Sequence, residues 1–300
     1  MSVLVVGEAL VDLIVSPDGS TTAVPGGGPF NTARTIARLG VPVAFGGRLS
    51  TDAFGRRLGS MLTNDGATVA LPARDDLLTT LALAELDDSG AATYRFYTLG
   101  TAGPAVSPGD LTLAPDTTLV SVGTLGLILE PIATAAEELV STLPDDVLLV
   151  LDPNCRPLVT PNADEYRARI RRIVPRADVV KVSGDDLEYL YPGLPPIDSA
   201  RALLNEGARL VLFTDGAASV RGLTRDWELE FLVPPIEVVD TVGAGDAFGG
   251  AFIAFWKRKE FGRSDLTDQT QVRCAIEHAI TVSGITCQRA GANPPYFHEL

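Results

Sequence analysis

The chain has 300 residues, of which 46% are hydrophobic and 21% are charged, a composition that can bury a large core and disfavours disorder. The formal net charge of −14 argues against nucleic acid or an anionic membrane as a partner, because either would require a basic footprint. It does not exclude ATP, which proteins bind locally through backbone amides, a few cations and Mg²⁺. We therefore expect one large domain, residues 1–300, with a small appendage.

The cysteines and the start of the chain indicate an intracellular protein. Cys155, Cys274 and Cys287 are odd in number and lack a C-x-x-C spacing, which favours reduced thiols over disulfides or zinc ligands. The N-terminus has no basic region, and its apolar run at 3–6 is broken at once by a glycine and a glutamate. Neither a signal peptide nor a membrane span is predicted, and a cytoplasmic location is expected.

Two strands are predicted at the beginning of the chain. Residues 3–7 form an apolar run suited to a strand covered on both faces, and residues 8–15 continue as extended chain. Asp12 lies among apolar residues, where a carboxylate is costly to bury unless a group such as a ligand hydroxyl hydrogen-bonds to it. A charge on an edge strand that faces water is an equally good interpretation of Asp12.

A glycine-rich turn then opens a helix. The sequence PGGGPFN at 25–31 is followed by Ala33, Ile36 and Leu39, which give the helix an apolar face before Gly40 ends it. No Lys-Ser/Thr pair follows the glycines, as a P-loop would require. Close approach of a neutral ligand to the backbone therefore fits this turn better than phosphate binding.

The rest of the chain alternates between apolar strands and amphipathic helices. Two β-prone runs at 80–86 and 92–97, joined by Asp-Asp-Ser-Gly, interrupt this alternation and predict a small antiparallel sheet that could act as a lid. The predicted strands are 41–47, 118–122, 147–151, 179–182 and 210–214, and the predicted helices are 52–64, 131–143, 163–174, 184–191, 199–206 and one beginning near 272. This lattice predicts an α/β fold with a doubly wound, mainly parallel sheet flanked by helices.

The most informative stretch is DTVGAGDAF, which ends at Phe248. Residues 236–241 predict a strand that runs into a glycine-rich turn, and aromatic residues at helical spacing predict a helix after it. The backbone N–H groups of Gly243, Ala244 and Gly245 can approach an anion without interference from a Cβ, and the helix N-terminus adds partial positive charge. We interpret the turn as an anion hole.

Asp246 lies inside this anion site, where it should repel a bound phosphate. A general base explains its presence, because a carboxylate beside the donors that hold a transferring phosphoryl group can accept the proton of an attacking alcohol. A helix cap is the alternative role, since Asp is common at that position. The short motif alone leaves both interpretations open.

Taken together, these segments resemble the PfkB, or ribokinase-like, family of sugar kinases over essentially the whole chain. The three glycines at 26–28 with Asn31 and the ARLG at 37–40 resemble the family's N-terminal signature, and DTVGAGD at 240–246 resembles its C-terminal signature. The resemblance implies a doubly wound core with a β-lid, whose strands come from about 9–25 and 79–98. It also implies transfer of the γ-phosphoryl group of ATP to a sugar hydroxymethyl group.

The resemblance assigns roles by position. The catalytic group is Asp246 as base with Gly243, Ala244 and Gly245 as the anion hole. The residues implied to hold the sugar are Asp12, Gly27, Gly28, Asn31, Phe96 from the lid and Arg156 from the core. The residues implied to line the nucleotide site are Lys181, Ser183, Asp186, Thr214 and Gly216.

Two positions depart from the family pattern. Many relatives carry Asn-x-x-Glu to organise Mg²⁺ and water, whereas this chain has Ser183 and Asp186, so Asp186 is expected to take the acidic role with a shorter reach. Ser219 stands where relatives often have a second glycine near the nucleotide. Both departures concern ATP binding more than catalysis.

The resemblance also suggests cofactors and partners. ATP and Mg²⁺ are implied, and a monovalent cation such as K⁺ near Asp240, Val242 and Gly291 is a family feature, although the residues themselves assign no metal ligand. A lid strand with an exposed apolar face invites pairing, so a homodimer through the lid is a further expectation.

The polar cluster at 152–157, which follows a predicted strand, is similar to the fructokinase and 2-keto-3-deoxygluconate kinase branch. An acidic sugar would need additional cations in the lid, and residues 98–102 contain no arginine, so a neutral ketohexose, fructose, is favoured. Arg95 facing a phosphorylated substrate is an alternative, although alternation allows only one of Arg95 and Phe96 to point at the sugar.

Two other classes of protein remain for comparison. One is a catalytically inactive regulator that binds sugar or nucleotide on the same fold, because fold alone does not establish activity. Retention of Asp246 argues against it. The other is a nicotinamide-dependent dehydrogenase, which the lack of G-x-G-x-x-G in the first βα turn disfavours.

Overall fold

The computed structural model of the protein describes residues 2–87 and 92–300 and is built around a nine-stranded sheet. Seven of its strands are parallel, and the last two form an antiparallel hairpin at one edge. The order across the sheet is β13-β12-β11-β10-β9-β8-β1-β4-β5. These strands are β1 (Ser2–Val6), β4 (Val43–Gly46), β5 (Thr68–Val69), β8 (Thr117–Gly123), β9 (Leu148–Asp152), β10 (Val179–Ser183), β11 (Leu210–Asp215), β12 (Ser219–Leu223) and β13 (Glu228–Leu232).

Helices cover both faces of this sheet, as the predicted doubly wound fold requires. One hydrophobic cluster packs α1 (Gly28–Arg38), α2 (Ala53–Asp65), α7 (Ala244–Arg258) and α8 (Gln269–Cys287) against one face. A second cluster packs α3 (Ile132–Ser141), α4 (Ala163–Ile173), α5 (Gly184–Leu190) and α6 (Pro196–Glu206) against the other. The strands contribute alternate side chains to the two clusters, which explains why their sequences are apolar throughout.

A separate four-stranded sheet has the order β3-β2-β6-β7. It consists of β2 (Leu10–Val15), β3 (Thr21–Gly26), β6 (Leu81–Leu86) and β7 (Ala92–Tyr97). The two strands predicted at 80–86 and 92–97 are therefore confirmed and pair antiparallel, while the turn between them at 88–91 lies outside the described residues. Because β2 is an inner strand, the alternative placement of Asp12 on an edge strand is wrong.

Two predictions for the C-terminal half differ from the structure. Residues 236–241 form no strand but an irregular connection with a bend at Val239. Val238 and Val239 are 54% and 62% exposed, and no strand within residues 2–87 and 92–300 pairs with them. The hairpin of β12 and β13 was not predicted. These strands are buried on one face only, and their other face carries charged residues such as Arg221 paired with Glu230. Their sequences therefore lack the continuous apolar run that marks the parallel strands.

The parallel strands bring several turns to one edge of the sheet. The turn after β1 leads to the small sheet, the turn after β9 carries Arg156, and the turn after β10 opens α5. The small sheet leans over this edge, since β7 contacts the short helical turn Pro157–Val159 directly after Arg156. No helix among the described residues is long and apolar enough to cross a membrane.

Candidate active site

Asp246 lies in the first turn of α7 and is 9% exposed. Its Oδ2 accepts a hydrogen bond from Nδ2 of Asn31 at 2.9 Å, and Asn31 lies in the first turn of α1. Its Oδ1 faces Gly28, where an added Cβ would lie only 3.2 Å from that oxygen and 2.6 Å from Oγ1 of Thr124. The missing side chain at Gly28 therefore leaves Oδ1 free to meet an approaching hydroxyl.

The charge state of Asp246 is set by opposing effects. Burial raises the pKa of Asp246 above its ordinary value, while the hydrogen bond from Asn31 and the positive charges of Lys181 and Arg156 lower it. A buried carboxylate that nevertheless keeps cationic neighbours is poised to exchange a proton, as a general base requires.

The predicted anion hole lies at the N-terminus of α7. Gly243 precedes the helix with φ 77°, a left-handed conformation that favours glycine, and a Cβ there would lie 2.5 Å from that of Ala292. Ala244 and Gly245 form the first turn, and Gly245 is exposed. The loop before them is braced by Asp240, whose carboxylate accepts hydrogen bonds from the N–H groups of Val242 and Gly291. The N–H of Ala244 donates to the carbonyl oxygen of Thr241 at 3.2 Å, whereas the N–H groups of Gly243 and Gly245 have no hydrogen-bond acceptor among the described residues and can receive an anion.

The small sheet presents the predicted sugar-binding residues on one face. Asp12 is in register with Ala82, and Ala82 is in register with Phe96, so the side chains of Asp12 and Phe96 share a face. Phe96 is partly buried against the core. Arg95 points to the opposite face, is largely exposed and lies 3.5 Å from Glu85. The alternative in which Arg95 faces the substrate is not supported by this arrangement.

Two of the predicted sugar-binding residues, Asp12 and Arg156, carry ionisable side chains. Burial raises the pKa of Asp12 to about 6, against the influence of Arg156. Arg156 itself is exposed in the loop after β9, where its Nη1 donates to the carbonyl oxygen of Cys155 at 3.1 Å. Gly27, with φ 107°, precedes α1, and a Cβ at the neighbouring Gly26 would lie 2.5 Å from Oδ2 of Asp12.

Glu8 is a buried acid at this edge that the sequence analysis did not single out. It is 1% exposed and accepts a hydrogen bond from the N–H of Gly126 at 3.1 Å. Burial raises the pKa of Glu8 to about 8, with a smaller contribution from the negative charge of Asp246. Its position directly after the apolar run of β1, at the carboxyl end of a parallel strand, is the signal that could have identified it.

The residues predicted to line the nucleotide site fall into two groups. Ser183 and Thr214 are in register at the ends of β10 and β11, and Gly216 lies in the open turn after β11 with φ 52°. Lys181 is instead 5% exposed and donates to Oδ2 of Asp152 at 2.8 Å. The structure thus places Ser183, Thr214 and Gly216 beside one another and Lys181 deeper, towards Asp246.

Asp186, predicted to take the acidic role toward Mg²⁺, has both carboxylate oxygens engaged. Oδ2 accepts from the backbone N–H and the hydroxyl of Ser183, which completes a capping box at the start of α5, and Oδ1 accepts from the N–H of Cys155. Among the described residues, no group of three or more His, Cys, Asp or Glu side chains could hold a metal ion by itself. This donor set fits a hydrated Mg²⁺ carried by phosphates rather than an all-protein cage.

With this geometry established, comparison with known proteins identifies the family. A sequence model described as pfkB family carbohydrate kinase matches residues 1–298. The chain belongs to this family. It is therefore an ATP-dependent carbohydrate kinase on a ribokinase-like fold, as the two signature segments predicted.

Individual relatives agree with this assignment. The chain is 35% identical over 287 residues to a fructokinase from Rhizobium leguminosarum bv. trifolii, which covers 93% of this chain and 85% of the relative. Aminoimidazole riboside kinase from Salmonella enterica, solved with aminoimidazole riboside and an ATP analogue, superposes with a TM-score of 0.86 at 28% identity, covering 97% of this chain and 95% of the other. A double-mutant fructokinase from Vibrio cholerae O395, solved with fructose, ADP and potassium ion, gives a TM-score of 0.86 at 25% identity, covering 97% and 93%.

Proposed function

We propose that this pfkB kinase is a fructokinase that transfers the γ-phosphoryl group of ATP to the terminal hydroxymethyl group of D-fructose, giving fructose 6-phosphate. The observation that carries the proposal is the buried carboxylate of Asp246, held on one oxygen by Asn31 and open beside Gly28 on the other, at the mouth of a helix N-terminus. The fructokinase relative at 35% identity supports the choice of sugar.

In the proposed mechanism the sugar lies between the two sheets. Asp12 and the backbone at Gly27 and Gly28 hold its hydroxyl groups, Phe96 covers it from the small sheet, and Arg156 donates to its oxygens. Oδ1 of Asp246 accepts the proton of the attacking hydroxyl, while Asn31 keeps the carboxylate in place. The buried Oδ1 of Asn31 has no partner among the described residues, so a hydroxyl donor would satisfy it.

The transferring phosphoryl group would be received by the amides of Gly243, Ala244 and Gly245, and the amide of Ala244 would exchange its hydrogen bond to Thr241 for one to the phosphoryl group. These donors are fixed at the positive end of α7, where they can stabilise the charge that develops during transfer. The adenine end of ATP would extend over Ser183, Thr214 and Gly216 at the ends of β10 and β11. Mg²⁺ would neutralise the charge of the phosphates when bound, and Asp186 would orient its water with oxygens that also accept hydrogen bonds from Ser183 and Cys155.

Three further expectations belong to this proposal. A monovalent cation near Asp240, Val242 and Gly291 is supported by the potassium ion in the Vibrio cholerae enzyme. A homodimer through the small sheet is supported by Tyr94 and Tyr97 of its edge strand β7, which are 46% and 54% exposed, and light scattering that gives the mass of a monomer at micromolar concentration would refute it. A cytoplasmic location accords with the three free cysteines.

A substrate panel tests the proposed function. ADP release is measured with MgATP and, in turn, fructose, 2-keto-3-deoxygluconate, ribose, fructose 6-phosphate, adenosine and aminoimidazole riboside. We expect the highest kcat/KM with fructose. A higher value with 2-keto-3-deoxygluconate or aminoimidazole riboside would replace the substrate and keep the kinase chemistry, whereas sugar binding without ADP release would favour the inactive regulator.

A further inference from the structure

A buried ion pair lies beneath the anion hole. Nζ of Lys181 on β10 donates to Oδ2 of Asp152 on β9 at 2.8 Å, and the side chains are 7% and 16% exposed. Burial, the largest single effect, lowers the pKa of Lys181, but the charge and hydrogen bond of Asp152 together with the charges of Asp186 and Asp246 raise it above its ordinary value, so Lys181 keeps its proton. A buried ion pair contributes little net stability compared with apolar residues of similar size, so stability alone does not explain this one.

The lysine is directed at the first turns of α7. The ammonium group lies 3.3 Å from the position that a Cβ at Gly245 would occupy, and its Cδ lies 3.5 Å from the corresponding position at Gly249. Both glycines therefore leave the space through which Lys181 reaches the helix that carries Asp246. The alternation of β10 agrees, because Val180 and Val182 pack against the helices of the opposite face.

Asp152 also has an unsatisfied atom. Its Oδ1 is buried without a hydrogen-bond partner among the described residues, and it borders a cavity of about 10 Å³ that Gly28, Thr32 and Thr124 also line. Such a cavity has room for about one water molecule. A buried carboxylate that leaves one oxygen unpaired is unusual for a group that serves stability alone, and it accords with a role in the neighbouring site.

We propose that Lys181, oriented by Asp152, is a positioning residue that keeps Asp246 ionised and ready to accept the proton of the sugar, rather than a residue that lines the nucleotide site. The proposal rests on the proposed role of Asp246 as base. In this proposal Asp152 orients the ammonium group towards the space between the anion hole and the base. The absence of a side chain at Gly245 and at Gly249 leaves room for Lys181 to reach that space.

Several other charges act on Asp246 and must be separated from that of Lys181. Arg156 approaches from the loop after β9, Glu8 from the turn after β1 and Asp152 from the end of β9. Asp186, at the start of α5, acts on Lys181 itself. Arg156 favours the ionised form of Asp246 and a charged Asp152 opposes it, whereas Glu8, whose pKa is raised to about 8, is neutral on the acidic limb. The effect of Lys181 must therefore be measured by changing Lys181 alone.

The test compares Lys181→Met with Lys259→Met. Both variants remove one lysine charge, but Lys259 follows the last turn of α7, about 22 Å along the helix from its beginning. Two quantities are measured: the acidic limb of the pH profile of kcat/KM for fructose, and the carboxyl titration of Asp246 by ¹³C NMR in the free enzyme, assigned with Asp246→Asn.

We expect Lys181→Met to raise both midpoints by about one pH unit, the effect of losing an opposite charge nearby. At pH values below the wild-type midpoint, kcat/KM of Lys181→Met is then about tenfold lower than that of the wild type at the same pH, while KM for ATP stays near the wild-type value. Lys181→Arg, which keeps the charge, should restore the midpoints, and Lys259→Met should leave them unchanged.

Other outcomes decide against the proposal. A folded Lys181→Met protein whose midpoints match those of Lys259→Met, with KM for ATP raised, would overturn it and assign Lys181 to the nucleotide. If Lys181→Met does not fold, the double variant Asp152→Asn/Lys181→Met, which leaves no lone buried charge, is compared with Asp152→Asn alone, so that the loss of the acid is common to both. Equal midpoints in these two proteins overturn the proposal as well. Failure of the proposed function is distinguished by wild-type protein that releases no ADP with any sugar, while the NMR titration still reports the effect of Lys181.

Discussion

Two side chains from opposite ends of the chain carry the proposed chemistry at the residue scale. Asn31 holds Oδ2 of Asp246, and the glycine at position 28 leaves Oδ1 accessible. The same carboxylate could have capped α7. Its Oδ2 instead accepts a hydrogen bond from Asn31 of α1, so the carboxylate faces the space between the two helices. A base held in this way cannot turn away from the sugar when the proton is transferred.

Replacing Asp246 by Asn should remove the base and little else. The amide keeps the size of the side chain, so we expect Asp246→Asn to fold and to keep both Michaelis constants near those of the wild type. kcat should fall by about 10²–10⁴, the usual effect of losing a positioned base. Steady-state kinetics with fructose and MgATP, together with circular dichroism, provide the measurement.

Asp146→Asn is the matched control for this variant. Asp146 is exposed in the loop before β9, at the opposite edge of the sheet from Asp246, and its loss should leave kcat unchanged. Near wild-type turnover in folded Asp246→Asn protein would remove Asp246 from the mechanism.

At the scale of elements, the small sheet is the part of the fold that we propose acts as a lid. It is joined to the main sheet by connections before and after its strands, and β7 reaches the turn at Pro157–Val159 beside Arg156. Its face with Asp12 and Phe96 covers the position proposed for the sugar. Closure over the sugar would exclude water and suppress hydrolysis of ATP.

Saturating fructose should therefore slow amide hydrogen exchange in β2, β3, β6 and β7. The reason is that bound sugar links the small sheet to the main sheet and makes local opening rarer. Mass spectrometry of exchanged peptides measures the effect, and the hairpin of β12 and β13 at the far edge of the main sheet serves as the internal control. Equal exchange in β6 and β7 with and without fructose would show that the small sheet is not a lid.

The sequence predicted those elements whose signals are local. The alternating runs at 80–86 and 92–97 and the apolar runs of the parallel strands carry their own pattern, so the doubly wound fold was predicted correctly. The exposed valines at 238 and 239 have the same β-preference, yet no neighbouring strand pairs with them. Strand formation depends on that tertiary partner, and a single stretch of sequence does not contain it.

The same distinction applies to the site. The motif that contains Asp246 and the anion hole is contiguous, so its meaning could be interpreted directly. The pairing of Lys181 with Asp152 joins two strands, and the burial of Glu8 depends on its contact with Gly126. Those relations arise only when the turns meet at one edge of the sheet, so the sequence alone indicated neither the partner of Lys181 nor the burial of Glu8.

For the whole molecule, charge bears on the choice of sugar. The net charge of −14 disfavours an anionic substrate at long range, although salt screens this effect beyond about 10 Å. Selection must therefore depend mainly on cations close to the sugar. Arg156 reaches the site from the loop after β9, whereas Arg95 lies on the outer face of the small sheet near Glu85.

We accordingly expect kcat/KM for fructose to exceed that for 2-keto-3-deoxygluconate under the same MgATP conditions. An acidic sugar would gain most from a second arginine that met its carboxylate in bidentate fashion, and position 98, at the end of β7, holds Thr. One missing charged contact is worth about 1.5–3 kcal/mol, or roughly 10–150-fold in kcat/KM. Arg156→Met should lower kcat/KM for both sugars, and more for the acid, while Arg95→Met should change neither because Arg95 faces away from the cleft. If the acid sugar gives the higher kcat/KM in the wild-type enzyme, the assignment to fructose is wrong, and the role of Asp246 as base is unaffected.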